Sequence, residues 1–501
     1  MTSKDIALEK AKYETELSIK RIKLLCTKLT YGELAYCIYY LHVSRILKQK
    51  ELKSLTNMSI DRFNDVLKHS ISCIFKYSNI SRIQRNDYII DVDKSILMTK
   101  LINHLHNLHE TSSLLTVFDH IELEGERNQN LKIDFSNITN DSEREKTFKY
   151  SARFQKSITR EKEKPRSHII HLDEFIKKYS QYDVLSKDIF GLEIEEIVDK
   201  LNKLLSICIN NMMSNETNML HLENDNIDIQ NIETLRQTVK SFIFNEKIIF
   251  EIFGKKGMKF IREFTFKKSE FKSHELNYHY IVRSPILKIR NEYIVVPELL
   301  LDSLFSNFHY TLLENKQHSE KHKKIMSDIF VNEILDIGKK YGFVYFTSEL
   351  ELYQGKNKLG DIDLILRHEK LDFDILIEAK NHTVPLSVYH GVYEEINKRL
   401  KELKSSWENK VDKRYKHLIG NYEKYNIKKN FKYLIVTRYP EILSHHSDYL
   451  VLSTFEFDFY LQNNTDFSNF SDLFNELYKY EDWNEQDVDV FMKETLNWRI
   501  S

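Results

Sequence analysis

The order of apolar and polar residues divides the chain into a helical first part and a mixed last part. Up to about residue 116 the apolar positions recur every three or four residues, as in YGELAYCIYYLHVSRILKQKEL and SILMTKLINHLHNLHETSSLLTVF. This spacing is the period of amphipathic helices. We therefore predict a helical domain over residues 1–124.

A polar stretch separates this domain from a second unit. Residues 125–168 contain few apolar positions, and we predict a linker or a long excursion there. Helical periodicity returns in EIEEIVDKLNKLLSICINNMM, whereas PILKIRNEYIVVP is typical of a β-hairpin that turns at Arg290 and Asn291, with a helix after it. Residues 169–314 are predicted to form a mixed helical and β domain that serves recognition or oligomerisation.

The last part of the chain has an α/β pattern. KQHSEKHKKIMSDIFVNEILDIGKKYGF predicts a long helix that ends at Gly342, where a glycine can adopt the left-handed conformation. Three strands, a helix from about residue 386 to 421 and the buried strand FKYLIVTRYP follow, and VLSTFEFDFYL adds a strand or a short helix. We predict a domain with a central mixed sheet over residues 315–465 and an acidic amphipathic tail over 466–501.

Composition agrees with a helix-rich protein of several domains. The 501 residues exceed the usual size of one domain, which is roughly 100 to 200 residues. Hydrophobic residues make up 41% of the chain, whereas Gly (11) and Pro (5) are rare, so turns are scarce. The predicted fold class is multidomain, with a mostly α-helical N-terminal region, an α+β middle region and an α/β C-terminal domain.

Charge and cysteine content argue against several classes of protein. Lys and Arg (74) nearly balance Asp and Glu (75), so a basic surface for a polyanion has to be local. The four cysteines form no CxxC pair, which argues against a zinc site or a disulfide framework and favours a reducing cytoplasm. No apolar run approaches the roughly 18 residues that span a bilayer, so we expect a cytoplasmic protein without a membrane partner.

The stretch GDIDLILRHEKLDFDILIEAK, residues 360–380, places carboxylates among the apolar residues of two predicted strands. Because alternate residues of a strand share a face, Asp361 and Asp363 are predicted to lie on one side. The apolar residues of this strand are predicted to share the other side, and these are Ile362, Leu364 and Leu366. A turn at RHEKLD then pairs the strand in antiparallel orientation with DILIEAK.

The hairpin gathers two acids and a lysine at its open end. Asp363 and Glu378, fifteen positions apart, converge there, and Lys380 shares the face of Glu378. Two carboxylates suit Mg²⁺, which takes oxygen ligands from one or two carboxylates, waters and phosphate. The lysine can contact a phosphate oxygen and orient or help to deprotonate a water. We predict a site for Mg²⁺ or Mn²⁺ in which all three residues are catalytic and the two acids are ligands.

The alternative is a surface hairpin without a metal. Its acids would form ion pairs with Arg367, Lys370 or Lys380. The apolar character of ILIEAK argues against this alternative, since a buried carboxylate needs a partner and a metal with a lysine supplies one.

These residues resemble the signature of the PD-(D/E)xK nuclease superfamily, which has the restriction-endonuclease-like fold. The acid is Asp363 in GDID, and the ExK triplet on the next strand is Glu378, Ala379 and Lys380. The predicted order of helix, strand hairpin, helix and strand is also similar to the αβββαβ core of that family. The resemblance covers residues 315–463, under a third of the chain.

The resemblance implies further residues around the metal. The backbone carbonyl of Ala379 is expected to join the ligands. A glutamate on the helix before the sheet often assists in the family; both Glu333 and Glu320 are candidates, and the sequence does not choose between them. Asp361 either assists the metal through a water or caps the turn.

The helix after the hairpin carries an excess of positive charge. Between Lys398 and Lys416 there are eight Lys or Arg residues and three acids. This excess favours contact with a phosphate backbone, and we predict Lys398 and Lys401 as the nucleic-acid contacts. A solvated helix face with ion pairs between neighbouring turns is the alternative.

The resemblance implies a metal-dependent endonuclease that hydrolyses phosphodiester bonds of DNA. By family analogy, the large N-terminal units imply a restriction or anti-phage defence effector with sensing or assembly domains and a protein partner. Cleavage of a duplex needs two active sites, so a homodimer or higher oligomer is expected. Two alternatives stay open: a nuclease fold without catalysis that binds nucleic acid or acts as a scaffold, and a nuclease that cuts RNA, since the hairpin does not read a 2′-OH.

Overall fold

The computed structural model describes the chain in several stretches. The described residues are 3–49, 60–78, 80, 88–117, 121–124, 130–133, 150, 154, 168–213, 232–269, 279–381, 388 and 393–463. The predicted tail, 466–501, nearly all of the predicted linker, 125–168, and the first residues of the helix predicted from residue 386 lie outside them. The division of the chain into five segments therefore stays a prediction.

The chain folds as two compact units. The helical unit consists of Lys12–His109 and Pro165–Glu320, and the sheet unit consists of Met1–Ala11, Glu110–Lys164 and Lys321–Ser501. Both units are discontinuous in sequence, so residues far apart along the chain contribute to each.

Helices dominate the first 314 residues, as the apolar spacing predicts. In chain order these helices are α1 (Ser3–Cys26), α2 (Tyr31–Gln49), α3 (Ile60–Tyr77), α4 (Val92–Val117), α5 (His168–Tyr179), α6 (Asp183–Phe190), α7 (Ile194–Met213), α8 (Ile232–Lys240), α9 (Glu246–Glu263), α10 (His279–Arg283) and α11 (Pro297–Glu314). The mostly helical N-terminal region is thereby confirmed. No helix in the described part of the chain is long and apolar enough to cross a membrane.

Two small sheets accompany these helices. Their strands are β1 (Ile121–Glu124), β2 (Asn130–Ile133), β3 (Ile243–Asn245), β4 (Leu287–Ile289) and β5 (Glu292–Ile294). The first two strands form an antiparallel pair, and the other three form a sheet in the order β3-β5-β4. The predicted hairpin at Arg290 and Asn291 is confirmed, and Arg290 takes the left-handed conformation there, with φ 54°.

The sheet unit contains the predicted order of helix, three strands, helix and strand. Its elements are α12 (Ser319–Lys340), β6 (Phe343–Gln354), β7 (Asn357–His368), β8 (Asp374–Lys380), α13 (Tyr393–Leu403), α14 (Asn409–Ile419), β9 (Phe431–Thr437), β10 (Leu450–Ser453) and α15 (Thr454–Asn463). A π-helical turn, Lys404–Glu408, joins α13 to α14. VLSTFEFDFYL forms both a strand and a helix, and Gly342 has the predicted left-handed conformation, with φ 81°.

The five strands of this unit form one mixed sheet in the order β10-β9-β8-β7-β6. The strands β6, β7 and β8 pair in antiparallel orientation, whereas β8, β9 and β10 run parallel. The predicted central mixed sheet is therefore confirmed. The strand β8 lies in its middle, which explains why DILIEAK is buried along almost its whole length, including Asp374 and Glu378.

Helices cover both faces of this sheet. On one face, Ile377 of β8 packs in a cluster with Phe330 of α12 and residues of α15. On the other face, Leu376 packs in a cluster with Val411 of α14 and residues of α13. Because alternate residues of a strand share a face, Glu378 points to the side covered by α14.

Two aromatic residues of the predicted linker belong to this second cluster. Tyr150 is fully buried and Phe154 is 3% exposed, and both pack with residues of α13, α14 and the sheet. One face of the mixed sheet is therefore closed by side chains that precede its first strand, β6, by more than 150 residues.

The far end of β7 does not keep the predicted facing. Leu364 packs on the α12 side, but Ile362 joins the α14 side, although the two are in alternate positions of one strand. The pairing of β7 with β8 stops at Leu364 and Ile377, and beyond this point β7 pairs only with β6, with shifts of register. Released from one neighbour, β7 twists away and turns Ile362 to the other side.

Candidate functional site

The strands β7 and β8 separate where the predicted acids lie. Their last paired residues are Leu364 and Ile377, and we call the opening beyond this pair the fork. Asp363 is the next residue of β7, and its Oδ2 accepts a hydrogen bond from the backbone N–H of Ala379 at 2.7 Å. The carboxylate thus takes the place of a backbone carbonyl as the acceptor of this N–H and links the two strands across the fork.

Lys380 lies between the two acids of the fork. Its Nζ donates to Oε1 of Glu378 at 2.7 Å and is 3.6 Å from Oδ2 of Asp363. The side chains of Asp363, Glu378 and Lys380 are 29%, 6% and 23% exposed, so the site is mostly buried but open on one side. One cation therefore contacts both carboxylates from a single position.

The second oxygen of Glu378 faces a buried arginine. Nη1 of Arg414 donates to Oε2 of Glu378 at 2.5 Å, and the hydroxyl of Tyr433 donates to the same oxygen at 3.3 Å. Burial, and next the charge of Glu378, raise the pKa of Tyr433, so its hydroxyl stays protonated as a donor. Burial lowers the pKa of Arg414, but the negative neighbours outweigh it and the net shift is upward.

Asp363 is the acid whose charge is least well compensated. Burial, followed by the charge of Glu378, raises the pKa of Asp363 from its ordinary value of 3.8 to about 6. Lys380 and the N–H of Ala379 act in the opposite direction, and Asp361 adds to the upward shift. Burial is thus the main cause of the upward shift, and Lys380 offsets only part of it.

Ala379 and Asp361 border the fork in different ways. The N–H and C=O of one strand residue point to the same side, so the carbonyl of Ala379 faces the fork like its N–H. Asp361 is half-buried on β7 opposite Glu351 of β6, and its charge acts on both Asp363 and Arg414.

The two glutamates proposed on the preceding helix occupy different parts of α12. Glu333 belongs to α12, which covers the opposite face of the sheet, and its Oε2 accepts from Nη2 of Arg438 at 2.8 Å. Nε of Arg438 in turn donates to Asn381, the residue after Lys380. Glu320 is in the first turn of α12, about 20 Å along the helix from Glu333.

The helical segment after the hairpin has a smaller excess of positive charge on its surface than its sequence indicates. Lys398 and Lys401 are exposed, and Lys398 is 4.0 Å from Glu395. Two of the eight basic residues point inward: Arg399 pairs with Glu441 at 2.8 Å, and Arg414 with Glu378. Six lysines remain at the surface, so the excess over acids is smaller than the sequence indicates.

Arg367 and Asp374 of the hairpin form a separate pair. Arg367 makes two hydrogen bonds of 2.8 Å to the fully buried Asp374. The ion pairs of the surface-hairpin alternative are therefore present for Arg367 and Lys380, but the hairpin itself is covered on both faces. Of its acids, only Asp363 and Glu378 share one cation.

Arg414 and Tyr433 contact Glu378 but were not predicted from the sequence. Arg414 follows Val411 by three positions and precedes Leu418 by four, so it occupies an inward position of α14. A charged residue in such a position signals a buried partner, and Tyr433 in an otherwise apolar strand signals the same. The sequence therefore indicates that Arg414 and Tyr433 are buried with polar partners, but it does not identify Glu378 as that partner.

The residues of the fork suit a hard cation. Within the described stretches, no three His, Cys, Asp or Glu side chains are grouped so as to hold a metal. Mg²⁺ needs only one or two carboxylates when waters and a substrate phosphate fill its other positions. Asp363, Glu378 and the carbonyl of Ala379 could provide oxygen donors for such an ion.

Comparison with the models of known protein families finds no model that matches this chain. Comparison with curated proteins likewise finds no match. What the candidate site does must therefore be argued from its own residues and geometry.

Proposed function

We propose that the sheet unit is a metal-dependent nuclease that hydrolyses phosphodiester bonds, with DNA as its substrate. In this proposal Asp363 and Glu378 hold Mg²⁺ or Mn²⁺ with the carbonyl of Ala379, and Lys380 acts on the water and the phosphate. The fold would be restriction-endonuclease-like, which the αβββαβ order and the mixed sheet support.

A single observation carries this proposal. The ammonium of Lys380 contacts both carboxylates of the fork, at 2.7 Å and 3.6 Å. A position that accepts a monovalent ammonium between two buried acids favours a divalent cation more strongly, because the attraction scales with charge. This position is also open to solvent on one side, which a phosphate needs in order to approach.

Each residue of the fork then has a defined task. A bound Mg²⁺ would supply Lewis-acid stabilisation of charge on the phosphate and make water easier to deprotonate. Lys380, released from its bridging position, would contact a phosphate oxygen and orient the attacking water. Asp363 would keep the bond from the N–H of Ala379 to Oδ2, while its other oxygen would be available to the metal.

DNA as the substrate, the defence role and the oligomer rest on the family analogy. The exposed lysines of α13, Lys398 and Lys401, are the proposed contacts with the phosphate backbone. Cutting both strands of a duplex would require two copies of the fork, and hence a dimer or larger assembly.

One observation favours a second candidate, a nuclease fold that binds nucleic acid without cutting it. Both oxygens of Glu378 already accept bonds, from Lys380 and from Arg414. A carboxylate satisfied in this way does not need a metal. Metal-dependent cleavage separates the two candidates.

Cleavage assays with purified full-length protein test the proposal. Plasmid, linear duplex, single-stranded DNA and RNA are incubated with Mg²⁺, Mn²⁺ or EDTA. We expect cleavage of DNA that EDTA stops, and a loss of at least about 100-fold in Glu378→Gln, since even residues that only support a ligand cost 10- to 100-fold. Lys380→Ala should lose about 100- to 10,000-fold, the usual contribution of a positioned proton-transfer group.

Matched variants control for charge and folding. Asp336→Asn and Lys339→Ala change exposed residues of α12 that pair with each other, and both should cleave like the wild type. Full activity in Glu378→Gln would reject the site assignment. DNA binding without any product would favour the second candidate, and products from RNA alone would change the substrate class.

A further inference from the structure

We propose that Arg414 is a positioning residue of the candidate site: by holding Glu378 through Oε2, it leaves Oε1 as the single oxygen that this carboxylate offers to a divalent cation. The inference rests on the proposed function. It adds a residue that the hairpin motif does not contain, from a helix 36 positions further along the chain.

The contacts of Glu378 divide its two oxygens between two directions. Oε2 accepts from Nη1 of Arg414 at 2.5 Å and from the hydroxyl of Tyr433 at 3.3 Å, both on the side of α14. Oε1 accepts only from Lys380, in the fork, among the recorded hydrogen bonds of Glu378. A carboxylate held at one oxygen cannot rotate freely, so the orientation of Oε1 is fixed before a cation arrives.

Arg414 is itself held in place by burial. Its side chain is 6% exposed, between Val411 and Leu418 on the inward face of α14. Its Nε is buried and has no hydrogen-bond partner in the described part of the chain. An arginine buried with an unsatisfied donor costs stability. Since packing alone would be served better by an apolar residue, its retention fits a role exerted through Glu378.

Gly360 leaves room for this guanidinium. A Cβ at Gly360 would lie 2.4 Å from Nη2 and 2.6 Å from Nε of Arg414, and the φ of Gly360 is 126°, in the region that favours glycine. The glycine of GDID therefore brings the backbone of β7 directly against Arg414. The same strand that supplies Asp363 thus confines the group that orients Glu378.

Charge alone would give Arg414 the opposite effect. An arginine beside a metal site repels the cation. If repulsion were its main effect, removing Arg414 would increase the metal affinity. If Arg414 positions Glu378, its removal would decrease the metal affinity, because Glu378 could then turn either oxygen, or neither, to the fork. The sign of the change in metal affinity therefore distinguishes the two roles.

Calorimetric titration with Mn²⁺ tests the inference without relying on activity. We expect the Kd of full-length Arg414→Gln to rise about 10- to 100-fold over the wild type. Arg414→Lys, which keeps the charge, should recover part of this loss. In a Glu378→Gln background, Arg414→Gln should change Kd less than about twofold, because the ligand on which it acts is gone.

Arg399→Gln is the matched control. Arg399 is the other inward arginine of the same helical segment and pairs with Glu441, so its loss should leave the Kd unchanged. If Arg414→Gln does not fold, Tyr433→Phe removes the other donor to Oε2 and should raise the Kd several-fold. Unchanged or tighter Mn²⁺ binding in Arg414→Gln overturns the inference but leaves the proposed function standing. If Arg414→Gln does not fold, the same result in Tyr433→Phe overturns it. Absence of Mn²⁺ binding by the wild type overturns the proposed function as well.

Discussion

At the scale of single residues, the two acids of the fork are held in different ways. Glu378 has donors on both oxygens, two of them cationic, whereas Asp363 has one backbone N–H and a more distant lysine. The pKa of Asp363 is accordingly raised to about 6, first by burial and then by the charge of Glu378. Ionised Asp363 therefore lowers the stability of the folded chain at pH values above its pKa.

Asp363→Asn should therefore stabilise the protein above pH 6. Between about pH 4 and 6 the folded chain binds a proton at Asp363 that the unfolded chain has released, so the stability of the wild type falls as pH rises. Asparagine carries no charge and can still accept from Ala379. At pH 7.5 we expect the free energy of unfolding to rise by about 1–3 kcal/mol, and at pH 4 to be unchanged.

Urea denaturation at both pH values measures this difference. The control is Asp336→Asn, whose side chain is 71% exposed and which should show no such dependence on pH. If Asp363→Asn were less stable than the wild type at pH 7.5, the explanation that burial makes ionised Asp363 unfavourable would be contradicted. Mn²⁺ binding should be lost in the same variant that gains stability.

At the scale of elements, the sequence predicted the sheet unit well because its signals are local. The period of apolar residues identified α12, the alternation in GDID and IEAK identified two strands, and a glycine marked the end of the helix. The π-helical turn, Lys404–Glu408, was not predicted, since an inserted residue in a helix leaves no simple pattern.

Gly342→Ala should destabilise the sheet unit by about 1–2 kcal/mol. Its φ of 81° is unfavourable for a residue with a Cβ, although the nearest atom of His368 would be an acceptable 3.4 Å away. The midpoint of urea denaturation measures the loss. Gly420 is the control, because it also follows a helix but has a φ of −98° and no atom within 4 Å of a Cβ. Gly420→Ala should be neutral or slightly stabilising, and an equal loss in both variants would refute the explanation.

At the scale of the whole molecule, charge gives no general attraction to nucleic acid. The net charge is −1, so binding to DNA would depend on local groups of lysines. The exposed lysines Lys398 and Lys401 of α13 are the proposed contacts with the phosphate backbone. Their contribution should be visible in the dependence of affinity on salt.

The double variant Lys398→Ala with Lys401→Ala should bind DNA with a weaker dependence on salt. Each lost phosphate contact reduces the slope of log K against log salt concentration by about 0.9, so two contacts reduce it by about 1.8. Fluorescence anisotropy with a labelled duplex at several salt concentrations measures the slope. Lys339→Ala with Lys340→Ala, on the helix that covers the other face, should not change it. Equal slopes in all three proteins would show that α13 does not contact the backbone.

The sequence by itself determined the mostly helical character of the N-terminal region, the order of the elements from α12 to β9 and the placement of Asp363, Glu378 and Lys380 on one hairpin, because periodicity and alternation act over a few residues. Only the tertiary structure decided that Arg414 and Tyr433 hold Glu378, that Glu333 pairs with Arg438 on the opposite face, and that Ile362 changes sides. The buried aromatic residues Tyr150 and Phe154 belong to the same group of findings. Most of these contacts join residues that are distant in sequence, and the position of Ile362 depends on where two strands stop pairing. Neither leaves a local pattern in the sequence, because both are set by packing in three dimensions.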